Sequence, residues 1–163
     1  MMGHFGLWIT PIGGPDHGIF SGMSFEQLPR DWPDRPLTDP VLAANVVDLM
    51  VSLGDRHQGA VAAIVCDPDA RYRATVVVEL PPSQRPIPAH LCRTALEPVV
   101  TSLQSAPGTS VVLALGCPVR ASADDVEWAA TATAICAEAD IRLLGFYVAT
   151  GAGVHQPLIA ALT

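Results

Sequence analysis

Leu115-Gly116-Cys117-Pro118, followed after a short loop by Ser122-Ala123-Asp124-Asp125, is the stretch on which the fold turns. Ahead of it, the apolar run Ser110 to Leu115 has the length and branched residues of a strand, and behind it Ala123 to Ala139 has helical spacing. The pattern Ser122-x-x-Asp125 is a capping box in its own right, with Asp124 and Asp125 favoured at the positive end of the helix. Cys117 reads most simply as a small buried residue at a strand end. Its sharper reading is a thiolate, either as a metal ligand or as a thiol made reactive by the nearby helix start.

Working outward, Asp39-Pro40 suits a helix N-cap followed by proline at the first helical position, and the helix is expected to run to about Leu53 and stop near Gly54. Asn45, Asp48 and Ser52 would form one narrow wet stripe on it. Ala60 to Cys66 and Tyr72 to Leu80 flank the turn chemistry of Asp67-Pro68-Asp69-Ala70 and predict an antiparallel hairpin. Asp55, Arg56, Asp67, Asp69, Arg71 and Arg73 around this hairpin are expected to make a solvated polar surface. Pro81 to Pro88 reads as a stiff connector, and the helix after it should break or kink at Pro98, which lacks an amide proton. A last strand, Ile141 to about Thr150, leads through Gly151-Ala152-Gly153, better read as a hairpin turn than as a phosphate loop, into a possible edge strand.

With 163 residues, half of them hydrophobic and 15% charged, the chain suits one well-buried domain, residues 39–163, behind an irregular Gly/Pro/aromatic arm, residues 1–38. The rings Phe5, Trp8, Phe20, Phe25 and Trp32 follow neither a helical nor a strand period, so the arm is expected to pack on this domain or on a second copy. All nine basic residues are arginine, and a net charge of -7 opposes a phosphate backbone, which disfavours a direct nucleic-acid partner. No run approaches the roughly 18 apolar residues of a membrane span, and the start lacks a secretory pattern, so a cytoplasmic protein without membrane association is expected. Cys66, Cys92, Cys117 and Cys136 form no C-x-x-C pair and are expected to be buried free thiols. His4, His17, His57, His90 and His155 show no paired metal-ligand spacing, which leaves them surface or capping roles.

In order and punctuation the segment from about Asp39 to Thr150 resembles the JAMM (JAB/MPN) metalloproteases, and among them the RadC-type bacterial domain. The resemblance implies an α/β domain with a mixed sheet and flanking helices, JAMM/cytidine-deaminase-like. It also implies a zinc site built from the two histidines of H-x-H-P and the aspartate of S-x-x-D, with a glutamate from an earlier strand as general base. In this sequence Leu115 stands at the first histidine, Cys117 at the second, Pro118 at the proline, Ser122 at the serine and Asp125 at the aspartate. Arg56-His57-Gln58-Gly59 occupies the place of the glutamate, and Gly145-Phe146 stands where aspartate and histidine often follow. The loop between Pro118 and Ser122 is about three residues shorter than in the family.

Leucine has no metal-binding atom, so the resemblance predicts a pseudoenzyme with no cofactor, serving as a protein-binding or scaffold module, as a homodimer or with a protein partner. A groove bounded by Leu115, Cys117 and Asp125 would take a peptide tail by strand addition. Two alternatives remain. One is a rewired metal- or thiol-dependent hydrolase centred on Cys117 and Asp125, with His57 as a further zinc ligand. The other is a nucleotide-binding or universal-stress-like α/β domain, which requires a predominantly parallel sheet where the JAMM-like reading requires the antiparallel hairpin.

Overall fold

The computed structural model of the protein describes residues 28–80, 90–118 and 122–157, and the side chains among them except those of His90, Leu91 and residues 122–124. Most of the arm, the connector Pro81 to Pro88 and the terminal segment beyond Pro157 lie outside the described residues. The helices are α1 (Pro40–Met50), α2 (Leu53–Gln58), α3 (His90–Leu103) and α4 (Ser122–Glu138). The strands are β1 (Ala60–Cys66), β2 (Tyr72–Glu79), β3 (Ser110–Gly116), β4 (Arg142–Thr150) and β5 (Gly153–His155).

The strands form one mixed sheet in the order β2-β1-β3-β4-β5. β1 pairs antiparallel with both β2 and β3, β3 and β4 run parallel, and β5 turns back antiparallel on β4. The expected hairpin is therefore present, and the predominantly parallel sheet is not what forms. Its turn is held by Asp67, whose carboxylate accepts from the amides of Asp69 and Arg71, each at 2.9 Å.

Alternation along the strands divides the core into two. Val61, Ala63, Val111, Leu113, Leu115, Cys117, Phe146 and Val148 point to the α3/α4 face, where Trp128, Ala132 and Leu96 meet them. Ala62, Ile64, Val112, Ala114, Tyr147 and Ala149 point to the opposite face under α1, where Val46, Val47, Trp32 and Leu37 cover them. This is a three-layer helix-sheet-helix arrangement in which each sheet face is apolar, which explains why the strands read as nearly continuous apolar runs. Trp32, the arm's one aromatic in the described set, stacks at a tilt on Tyr72 with centroids 5.1 Å apart.

Two expectations about the helices need correction. Asp39 does cap α1, accepting from the Val41 amide at 3.0 Å, but the helix ends at Met50. Ser52 then caps a separate helix, accepting from the Asp55 amide at 3.0 Å, and Gly54 lies inside α2 instead of ending α1. α3 contains Pro98 and continues to Leu103, the expected end. The carbonyl that proline leaves unpaired is that of Thr94, an exposed residue, where water can satisfy it.

The largest correction concerns charge. Asp48 does not lie on a wet stripe, and Arg56 does not belong to a solvated surface: their side chains are 1% and 2% exposed and form an ion pair at 2.8 Å. Arg56 also donates to the carbonyls of Val51 at 2.9 Å, Thr150 at 3.0 Å and Asp48 at 3.0 Å. One guanidinium thus joins the end of α1, the α1–α2 link, α2 itself and the end of β4. The rest of the predicted polar cluster stays at least partly exposed, as expected.

Gly145, which the resemblance sets at an aspartate position, has a packing reason. A Cβ there would stand 2.9 Å from the ring of Tyr147, whose hydroxyl donates to the Pro40 carbonyl at 3.5 Å.

Two stability measurements by urea titration check these contacts. Arg56→Leu removes the ion-pair partner of the buried Asp48 carboxylate and should cost about 3–5 kcal/mol. Gly145→Ala forces the Tyr147 ring aside and should cost about 1–3 kcal/mol.

Candidate functional site

The corner predicted from sequence lies at the carboxyl ends of β3 and β4, where β3 hands over to α4. The Cys117 amide donates to the Ala149 carbonyl at 3.0 Å, which extends the β3–β4 ladder one residue past Gly116. Leu115 and Cys117 point to the α3/α4 core and are 2% and 5% exposed. Gly116, between them, points the other way, where a Cβ would meet Val51 at 3.1 Å and the Arg56 Cα at 3.5 Å. Ser122 opens α4, and Asp125 follows three residues later, buried at 3%. Leu115, Cys117 and Asp125 are therefore core residues and do not form the walls of an open peptide groove.

Asp125 has a partner that the sequence reading did not assign. Its Oδ2 lies 3.2 Å from Nε2 of His155 on β5. The hairpin register pairs His155 with Val148, so the imidazole shares Val148's face of the sheet, the face that carries α4. The turn that makes this possible is closed by Thr150, whose Oγ1 accepts from the Ala152 amide at 3.1 Å. The Gly151-Ala152-Gly153 hairpin turn was legible, but its register was not, and the register is what carries His155 to Asp125.

His57, the ligand expected for a rewired metal site, is exposed on α2. It cannot join Asp125 there, because α2 packs on the sheet face that Gly116 presents and Asp125 sits on the other. Among the described residues no three or more His, Cys, Asp and Glu side chains are grouped to hold a metal ion. Among the same residues no helix is long and apolar enough to cross a membrane.

All four cysteines are buried thiols outside any disulfide, as expected. Loss of solvation drives the Cys66 thiol up to about 12, with the neighbouring Asp67 charge adding to it, and burial alone drives Cys136 to about 11. Burial likewise takes Cys92 to about 12 against the opposing effect of Arg93, while its Sγ lies 3.6 Å from the Trp128 carbonyl.

No family model, curated protein or solved structure matches the chain.

Thiol titration at pH 8 checks the electrostatics. Against an ordinary value of 9.0, the thiolate fraction alone should slow disulfide-exchange labelling of Cys66 and Cys92 about a thousandfold and of Cys136 about a hundredfold. Unfolding in urea should restore ordinary rates at all three.

Proposed function

We propose that the chain is a degenerate JAMM-like domain, RadC-like in the order of its elements, that has given up metal-dependent hydrolysis and serves as a protein-binding or scaffold module. It works as a homodimer or with a protein partner and carries no resident metal. The order helix, hairpin, helix, strand, helix, strand, with β1 between β2 and β3, supports the JAMM/cytidine-deaminase-like assignment. The observation that carries the loss of hydrolysis is Leu115. At the position of the first zinc-binding histidine it offers no ligand atom, and its side chain is packed into the core with Trp128 and Val148.

A second reading keeps chemistry at this corner in an altered form, and the Asp125–His155 contact favours it. One experiment separates the two: metal content per chain, by mass spectrometry on untagged protein purified without chelator, beside a Cys117→Ser sample. The binding-module reading expects less than about a tenth of an equivalent of zinc or iron. It also expects a light-scattering mass near twice 17.1 kDa, or a stable complex with a protein partner. Near one equivalent that disappears in Cys117→Ser overturns it in favour of a rewired metal site.

A further inference from the structure

We infer that Asp125 and His155 form an acyl-reactive dyad at the carboxyl ends of β3 and β4, with His155 as the nucleophile toward an activated carbonyl group. This goes beyond the binding-module reading and shares with the second reading its location and the Asp125–His155 contact, but no metal and no thiol. A carboxylate has acceptors and no proton to donate, so the contact at 3.2 Å places the ring proton of neutral His155 on Nε2. The lone pair is then on Nδ1, the nitrogen turned away from Asp125.

The two members are buried unequally, in the order such a pair needs. The Asp125 side chain is 4% exposed and stands behind the ring, while His155 is 28% exposed. A charge held in the low-dielectric interior orients the imidazole and stabilises the positive charge that develops on it during attack. The turn before His155 has open space, with no atom within 4 Å of where a Cβ would stand on Gly151 or Gly153.

The class of electrophile follows from the nucleophile. A neutral imidazole nitrogen is a nucleophile, and an activated carbonyl carbon is the electrophile it attacks.

Diethyl pyrocarbonate is the probe. Nδ1 attacks one carbonyl carbon, an N–C bond forms, and the C–O bond to the ethyl carbonate leaving group breaks. The ring gives up its Nε2 proton to water, and the departing ethyl carbonate takes a proton from water and decomposes to ethanol and carbon dioxide. His57, more exposed on α2, is the internal reference. Peptide mapping by mass spectrometry at neutral pH should show His155 modified about tenfold faster than His57 or more, and Asp125→Asn, which keeps an acceptor but removes the charge, should cut that rate about tenfold with His57 unchanged. A His155 rate at or below that of His57, or one unchanged in Asp125→Asn, overturns the inference. If Asp125→Asn fails to fold, seen as a changed His57 rate and circular dichroism spectrum, the wild-type comparison decides alone. Metal content and mass test the binding-module reading separately, so either can fail without the other.

Discussion

A buried guanidinium constrains this fold more than any other single group. Arg56 contributes four hydrogen bonds to three separate pieces of chain: Asp48 in the last turn of α1, Val51 in the link and Thr150 at the end of β4. A buried ion pair is not in itself a source of stability, since two well-packed apolar residues can do as well. Its effect is on geometry, because a charge removed from water tolerates only the arrangement that satisfies it. α2 must therefore sit against the end of β3, and Gly116 is the residue that allows the approach.

The same strand end decides the character of the corner. Three consecutive residues divide between the two faces: Leu115 and Cys117 go to the α3/α4 core and Gly116 to α2. Leu115 and Cys117 are buried in the core, and the polar side chains that meet at this corner are those of Asp125 and His155. The carboxylate arrives on α4 and the imidazole on β5, two elements joined through β4. The dyad proposed above stands at the edge of this corner.

Much of the architecture was legible because it depends on local chemistry. The hairpin of β1 and β2 came from two branched apolar runs around Asp67-Pro68-Asp69-Ala70, and α1 began at Asp39-Pro40 for reasons contained in those two residues. What was misread involves long-range partners. Asp48 looked like part of a wet stripe because helical spacing identifies a face but not what covers it. Arg56 looked solvated because its acceptors lie 5, 8 and 94 residues away. His155 carried no ligand spacing at all, since its partner is 30 residues distant and on a helix.

The amino-acid sequence by itself determined the elements, their order and the apolar pattern that gives the sheet two buried faces, because propensity, capping and periodicity act over a few residues. Tertiary structure alone decided which polar groups were buried and with whom. Strand register and helix docking bring together residues far apart in the chain, and only when water is excluded around them does an Asp or an Arg require one particular partner.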